Sequence, residues 1–312
     1  MPHAKRFVVI VHGARAELPA VRDLIDRLRE LGHEVVPRIS LTAGDAIAFA
    51  RAAADDSPDA VIAVGGDGTV NEVLNGLGDH DVPLGIVPLG TANDFARQMD
   101  IPLDAQHALD VILGCKPTRI DTAELNGRRF INVSTGGVGA EATAETPDEA
   151  KEQLGFAAYA ITGVRKLVGL EPRRARFTAP GFELDTEFLL FAVGNARATG
   201  AGTLITPEAV LDDGLLDLCI IEAMPRGEFT RLLFRVKAGE HLSHPRVRYL
   251  KVPEVLVESE TPLSVNVDGE PADAARLHYR ARKGDLRIFL PAPLAPPPSP
   301  APPDAERATA EG

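Results

Sequence analysis

The chain is poor in cysteine and in long apolar runs, and each shortage excludes a class of protein. Its two cysteines, Cys115 and Cys219, lie far apart, with no CxxC spacing and no histidine companions. A disulfide framework or a zinc site is therefore not expected, and a reducing compartment fits. The first apolar run, residues 7–11, is too short for the core of a signal peptide, and no run approaches the roughly 18 residues of a membrane span. We expect a cytoplasmic protein with at most transient membrane association.

Positive charge is outnumbered by negative charge in this sequence. Asp and Glu number 45 against 33 for Lys and Arg, which gives a formal net charge of −12. This sign opposes sequence-independent attraction to nucleic acid or to an anionic bilayer, so we expect no nucleic-acid partner and only local contact with lipid. With 312 residues, 45% of them hydrophobic, the chain can form two domains with cores of their own.

The first third of the sequence alternates apolar strands with amphipathic helices. After the strand at 7–11, apolar residues from Leu18 to Leu31 recur at three- and four-residue spacing and predict a helix that Gly32 ends. Repeated strand–helix units imply a parallel sheet covered on both faces. We therefore predict a doubly wound, Rossmann-like α/β domain over residues 1–125. Further strands are predicted at 34–39, 60–64 and 84–87, with helices at 44–54 and 70–77.

The pattern changes after about residue 119. Asn126-Gly127 is a hairpin signal, and the later segments are short runs rich in Val, Ile, Leu and Phe, punctuated by Gly and Pro. These features predict an antiparallel β-sandwich domain over residues 126–290. From residue 291, eight prolines within thirteen residues precede a polar ending, so 291–312 is predicted to be a disordered tail. In the second domain, strands are predicted at 187–193, 216–221, 255–257, 263–267 and 285–290, and helices at 157–168 and 228–238.

The strongest chemical signal is a buried strand that breaks into Gly65-Gly66-Asp67-Gly68-Thr69 and opens a helix. Glycines allow positive φ and a close approach of backbone N–H groups to an anion, and the helix N-terminus adds about half a positive charge. The segment predicts a phosphate site, with a tight strand-to-helix turn as the alternative. It is neither a Walker A loop, since no Lys-Ser or Lys-Thr follows, nor a GxGxxG loop.

A second glycine-containing turn, residues 90–97, follows the next predicted strand. Thr91 and the Asn93-Asp94 pair could supply further donors at the carboxyl edge of the sheet, where open parallel sheets bind ligands. By itself the turn is an ordinary helix start, capped by Thr91 or Asn93. Two such turns on consecutive strands favour a phosphate-binding edge.

These two motifs, 66–69 and 90–97, resemble the diacylglycerol kinase catalytic fold, which is shared with sphingosine kinases and more distantly with NAD kinases and phosphofructokinases. Segments 132–139, 212–218 and 266–271 narrow the resemblance to the YegS-like bacterial lipid kinases, over nearly the whole chain to about residue 290. The resemblance implies an ATP-dependent kinase that phosphorylates a hydroxyl of a glycerolipid, such as phosphatidylglycerol or diacylglycerol, at the membrane surface. Its active site would lie in the cleft between the two domains. Monomer and homodimer both stay open.

The resemblance also assigns residues to the nucleotide, by position in the motifs. On sequence grounds alone Ser40 reads as an exposed loop serine, and only the resemblance gives it a contact with ATP. The positions assigned to ATP are Ser40, Gly66, Asp67, Gly68, Thr69, Val70, Asn71, Glu72 and Thr91.

Glu270 is the candidate base that accepts the hydroxyl proton as the bond to phosphorus forms. An Asp-Gly turn before it would present its carboxylate at a sheet edge, and Pro271 biases Glu270 toward an extended backbone. The alternative is a hairpin-turn acid in water. Asp67 is the rival, as base, as magnesium ligand, or as the cap of a helix that begins at Thr69.

Magnesium is expected because metal ions neutralise the phosphate charges of ATP in the transition state, with Ca²⁺ as the alternative ion. For a further metal position, the resemblance implies the side chain of Asp213 and the backbone carbonyls of Val210 and Leu215. Asp213 is alternatively an ordinary turn residue. Whether such an ion is catalytic, structural or regulatory stays open.

Two features leave other interpretations open. The family usually has an Asn followed by a Lys or Ser after the first strand, whereas this chain has His12-Gly13-Ala14-Arg15, in which Arg15 could supply the missing cation. An apolar helix at 154–170 could rest on a membrane or simply pack on its own domain.

The rival functions are an NAD kinase, which shares the glycine-rich turn but not the Asp-Gly-Glu-Pro segment at 268–271, and a nucleotide-binding regulator without turnover.

Overall fold

The computed structural model describes residues 4–137, 171–200 and 202–291. The predicted apolar helix at 154–170 and the predicted tail beyond residue 291 lie outside the described residues. Within these ranges, thirteen strands belong to one hydrogen-bonded sheet, which is parallel at one end and antiparallel at the other. No helix in the described ranges is long and apolar enough to cross a membrane.

The N-terminal part is an α/β layer built on four parallel strands in the order β2-β1-β3-β4. Strands β1, β3 and β4 are almost wholly apolar and buried, as expected of a sheet covered on both faces, whereas the edge strand β2 is largely exposed. Helices α1 and α5 pack together, as do α2 and α3, and the two pairs cover the sheet. The elements are β1 (Arg6–His12), α1 (Pro19–Glu30), β2 (Glu34–Ser40), α2 (Asp45–Asp55), β3 (Ala60–Gly65), α3 (Asp67–Leu77), β4 (Leu84–Pro88), α4 (Asp94–Gln98) and α5 (Ala105–Gly114).

The C-terminal part is a β-sandwich-like assembly of antiparallel strands. Edge-to-face aromatic rings fill its core, with Phe177, Phe188, Phe191 and Tyr279 all fully buried. The elements are β5 (Thr118–Leu125), β6 (Arg128–Phe130), β7 (Val133–Gly137), β8 (Arg173–Ala179), β9 (Phe182–Gly194), β10 (Leu216–Glu222), α6 (Arg226–Ala238), β11 (Val247–Val252), β12 (Glu254–Val267) and β13 (Glu270–Ile288). The predicted fold class, an α/β domain followed by an antiparallel β-sandwich, is confirmed.

The last strand, β13, belongs to both parts of the molecule. It pairs with β12 and β5 in the second part, and its last residue, Ile288, pairs in parallel with Leu84 of β4. Residues 286–290 then pack into the N-terminal hydrophobic core. Sequence analysis predicted only residues 285–290 of this strand, because the exposed, polar stretch before them lacks an apolar run.

Ion pairs reinforce the contact between the two parts at the C-terminal end of α3. Arg129, whose side chain is nearly buried, binds the carbonyl of Gly78 and the carboxylates of Asp79 and Asp285. Arg282 of β13 also reaches Asp79, at 2.6 Å. A guanidinium at a helix C-terminus complements the negative end of the helix dipole, so these contacts fix α3 against the sandwich.

The contact between α2 and α3 leaves no room for a side chain at Gly76. A Cβ there would lie 2.4 Å from the carbonyl oxygen of Ile47 and 2.6 Å from Cβ of Ala50. We predict that Gly76→Ala lowers the free energy of unfolding by about 1–3 kcal/mol, because α3 has to move away from α2. Gly114→Ala is the control, since a Cβ at the end of α5 meets open space. Urea denaturation measures both, and equal stability of the two variants would contradict the packing described here.

Candidate active site

The turn between β3 and α3 presents unpaired amides at a helix N-terminus. Gly66 is the extended N-cap residue, and α3 begins at Asp67, three residues earlier than predicted. No acceptor for the amides of Asp67, Gly68 and Thr69 is found among the described residues. A Cβ on Gly68 would meet open space. Together, the free N–H groups and the helix dipole make this turn suited to an anion.

Gly65 and Gly66 of this turn serve close packing, and none of its glycines has the positive φ that the sequence suggested. Gly65, Gly66, Gly68 and Gly90 are not among the residues with positive φ. A Cβ on Gly65 would lie 2.4 Å from Oγ1 of Thr69, and one on Gly90 would lie 2.4 Å from Cα of Gly66. Glycine is therefore required because the two turns touch each other backbone to backbone.

Asp67 joins the two turns through its side chain. Its carboxylate accepts hydrogen bonds from the amides of Asp94 (3.0 Å) and Phe95 (3.1 Å), and so caps helix α4. The side chain of Asn93 instead bonds the backbone of Gly90, so neither Thr91 nor Asn93 caps α4 as the sequence suggested. Asp67 also does not cap a helix beginning at Thr69, since α3 starts at Asp67 itself.

A cleft opens at the carboxyl ends of the parallel strands, next to the point where the strand order reverses between β1 and β3. Open α/β sheets bind ligands at such a position. Ser40 ends β2 there with its side chain buried, Oγ lying 3.4 Å from the carbonyl of Val11, in contrast to the exposed loop serine suggested by the sequence alone. The cleft is lined by His12, Ser40, Leu41, Thr42, Ala43, Gly68, Thr69 and Glu72.

Glu72 shapes one wall of this cleft. Its carboxylate accepts hydrogen bonds from the amides of Gly44 (3.1 Å) and Ala46 (3.2 Å). The carboxylate thereby caps the first turn of α2. The loop between β2 and α2 is thereby held beside the glycine-rich turn. Asp45 binds the amides of Leu41 and Thr42 in the same loop, and these hydrogen bonds lower the pKa of its carboxyl.

The predicted nucleotide contacts thus separate into three groups. The structure brings Ser40, Gly68, Thr69 and Glu72 to one cleft, with Gly66 and Asp67 in the adjoining turn. Val70 lies in the hydrophobic core and Asn71 points toward the second domain, so neither side chain faces the cleft. Thr91 is exposed on the turn before α4.

Asp268 connects α3 to the second domain, and sequence analysis assigned it no role. This carboxylate is buried and accepts hydrogen bonds from three successive amides, those of Ile131, Asn132 and Val133, and from Nδ2 of Asn71 at 3.1 Å. Burial raises the pKa of Asp268 to about 6, and the hydrogen bonds oppose that rise. The residue occupies the positive-φ turn between β12 and β13, followed by Gly269.

Glu270 is the first residue of β13, directly after this turn. Its side chain is half-exposed, and its Oε2 binds the guanidinium of Arg128 at the start of β6. The predicted Asp-Gly turn is present, with φ of 49° at Asp268 and 94° at Gly269. Asp268 accepts a hydrogen bond from Asn71 of α3, the helix that begins in the glycine-rich turn. The backbone that carries Glu270 is therefore held against this helix.

Comparison with known proteins follows this division into two parts. A model of the diacylglycerol kinase catalytic domain matches residues 6–125, and a model of the YegS C-terminal NAD kinase beta sandwich-like domain matches residues 132–290. The chain belongs to the YegS-like lipid kinase family.

The relatives of this YegS-like chain cover almost its whole length. A Pseudomonas aeruginosa protein named "Probable lipid kinase YegS-like" is 38% identical over 92% of this chain and 95% of its own length. A Chromohalobacter salexigens protein of the same name is 39% identical over 91% and 92%. Among solved structures, one titled a "putative diacylglycerol kinase" from Bacillus anthracis has the same fold, with a TM-score of 0.79, 24% identity, and coverage of 92% of this chain and 95% of its own.

Asp213, the side-chain ligand of the metal position that the family resemblance implies, already has two partners in this YegS-like chain. Asp213 Oδ1 accepts the amide of Leu215 at 3.0 Å, and Oδ2 lies 3.0 Å from Nζ of Lys251. Within the described ranges, no three His, Cys, Asp or Glu side chains are grouped so that they could hold a metal ion. Asp213 therefore pairs with a lysine, and Val210 and Leu215 can offer only backbone carbonyls.

Asp121 is a further buried carboxylate that the sequence did not identify. It accepts the amides of Gly214 (2.6 Å) and Gly284 (2.7 Å), and burial raises its pKa. It thus joins the loop that carries Asp213 to β13. No local motif marks Asp121, Asp268 or Lys251, because each partner lies far away in sequence. The only signal was that Asp268 belongs to the 266–271 segment used for the family resemblance.

We predict that Asp268→Ala destabilises the protein by at least about 3 kcal/mol, because four buried N–H groups lose their acceptor. The pKa of Asp268 lies near 6 in the folded chain, above its ordinary value of 3.8. Between these pH values the folded state holds a proton that the unfolded state does not. This carboxyl therefore contributes increasing stability as pH falls from about 7 toward 4.

Urea denaturation across that pH range tests both parts of the prediction. The difference between wild type and Asp268→Ala should grow at lower pH, by no more than about 3 kcal/mol. Asp273→Ala, which removes an exposed carboxylate from the same strand, is the control. A difference that stays constant with pH would mean that Asp268 does not titrate in this way.

Proposed function

We propose that this protein transfers the γ-phosphate of ATP to a hydroxyl of a glycerolipid, such as phosphatidylglycerol or diacylglycerol. The proposal is carried by the unpaired amides at the start of α3, which lie in the cleft at the switch point of the sheet. Phosphoryl transfer needs mainly positioning and charge stabilisation from the protein, and a fixed set of N–H donors supplies both. Membership of a lipid kinase family supports the choice of acceptor.

In this proposal the phosphates of ATP bind the amides of Asp67, Gly68 and Thr69. The space above Gly68 admits them, because even a Cβ there meets no neighbour. The hydroxyls of Ser40 and Thr91 add polar contacts beside the turn. Asp67 and Glu72 act by holding the surrounding loops, since their carboxylates already accept backbone amides.

A divalent cation accompanies ATP in kinases, and we propose Mg²⁺, with Ca²⁺ as the alternative. Asp67 suits such an ion, since each carboxylate oxygen keeps a lone pair beside the one that accepts an amide. Together with phosphate oxygens and water, Asp67 would hold the ion, which would neutralise phosphate charge. This role makes Asp67 a metal ligand and not the base.

Glu270 is the proposed base. Arg128 binds its Oε2 and positions the carboxylate, and Oε1 has no hydrogen-bond donor among the described residues. The lipid oxygen attacks the γ-phosphorus, the bond from that phosphorus to the β,γ-bridging oxygen breaks, and ADP leaves. The hydroxyl proton passes to Glu270 as the new bond forms.

The activity test is a transfer assay with γ-labelled ATP and Mg²⁺. The acceptors are phosphatidylglycerol, diacylglycerol and NAD, the lipids being presented in mixed micelles and the products separated by chromatography. Labelled lipid supports the proposal. Labelled NADP would instead identify an NAD kinase, and nucleotide binding without any labelled product would identify a regulator; either result overturns the proposed function.

We predict that Glu270→Gln lowers kcat by about 10²- to 10⁴-fold, the usual contribution of a general base, with little change in KM for ATP. The matched control is Asp273→Asn, which alters an exposed carboxylate three residues further along β13. Steady-state kinetics with the labelled lipid as product measures both variants. A Glu270→Gln enzyme with the wild-type rate would move the role of base to Asp67.

A further inference from the structure

The loop of residues 206–215, which leads into β10, is folded around the side chain of one lysine. Lys251 extends from β11, where it lies opposite Asp217 of β10 in the sheet. Its ammonium donates hydrogen bonds to the carbonyl of Glu208 (2.8 Å) and to Oδ2 of Asp213 (3.0 Å), and lies 3.7 Å from Oδ2 of Asp217. The three donors of an ammonium thus face three oxygens.

The buried carboxylate of Asp217 favours a cation at this position. Its side chain is completely buried, and its Oδ1 accepts a hydrogen bond from the hydroxyl of Tyr249 at 2.6 Å. Its Oδ2 is buried, has no hydrogen-bond partner in the part of the chain that the structure describes, and faces the ammonium of Lys251. A buried carboxylate oxygen that accepts no hydrogen bond needs a nearby opposite charge to compensate for the water it has lost. Here that charge comes from Lys251.

We propose that the ammonium of Lys251 takes the place of a divalent cation in the 206–215 loop, so that the loop folds without metal. One backbone carbonyl and two carboxylates are the oxygen ligands that Ca²⁺ and Mg²⁺ prefer. In this chain a covalently attached cation occupies the centre of that set, and a divalent ion brought to the same oxygens would be repelled by it. The inference does not depend on the reaction proposed above.

The loop held by Lys251 is connected to the strand that carries Glu270. Gly214 donates its amide to Asp121, whose second oxygen accepts the amide of Gly284, where the pairing of β13 with β5 is interrupted. The side chain of Lys283 packs over Gly214, with Cδ 2.9 Å from the position of a Cβ there. Lys251 is therefore a positioning residue for the link between this loop and β13.

Thermal unfolding without nucleotide tests the proposal, with CaCl2, MgCl2 or NaCl of equal ionic strength added. The unfolding midpoint of wild type should be the same in all three salts. Lys251→Met should lower the midpoint by roughly 3–6 °C, and Ca²⁺ should restore part of this loss. The double variant with Asp213→Asn should show no such recovery. Lys116→Met, at an exposed lysine, is the matched control and should behave as wild type.

A second measurement keeps the test decisive if Lys251→Met does not fold. Tyr249 lies against Asp217, so Tb³⁺ bound in this loop would emit light after excitation of tyrosine. Wild type should give no Tb³⁺ emission that depends on Asp213. Three results would each overturn the proposal. They are Tb³⁺ emission from wild type that Asp213→Asn abolishes, stabilisation of wild type by Ca²⁺ or Mg²⁺ that Asp213→Asn abolishes, and an unchanged unfolding midpoint in metal-free Lys251→Met.

Discussion

The buried carboxylate of Asp268 fixes the two halves of this lipid kinase relative to each other. It binds three amides that lead into β7 and the side chain of Asn71 on α3, and it immediately precedes the turn residue Gly269 and the candidate base Glu270. The helix proposed to bind phosphate and the strand proposed to supply the base therefore share one anchor. Desolvation makes this anchor costly at neutral pH, and four hydrogen bonds offset part of the cost.

Other acidic residues act in the same way. Asp67 caps α4, Glu72 caps α2, and Asp121 joins two loop amides, so each carboxylate binds backbone N–H groups of a different segment. Such bonds fix the loops without using up the amides at the start of α3. The phosphate-binding edge is thus preorganised by carboxylates around it, while the edge itself stays rich in donors.

Much of the fold could be predicted from the sequence, because β1 to β4 have apolar runs and α1 to α3 have apolar periodicity. The phosphate turn was located from its glycines, although their role proved to be contact between Gly66 and Gly90 and not positive φ. The partners of Asp67 and Asp268 could not be predicted, since they lie 27 and 197 residues away in sequence. Local patterns do not encode such distant pairings. The pairing of Lys251 with Asp213 was missed for the same reason.

The path of β13 also constrains how the protein is made. Residues 286–290 complete the first hydrophobic core, and Ile288 pairs with β4. A ribosome therefore has to deliver nearly all of the sandwich before the α/β layer receives its last strand. Until then the first hydrophobic core lacks the side chains of Leu286, Ile288, Phe289 and Leu290, and apolar surface that is exposed during folding promotes aggregation. The half that is synthesised first is therefore the half that is completed last. A chaperone would help most during the interval between its synthesis and its completion.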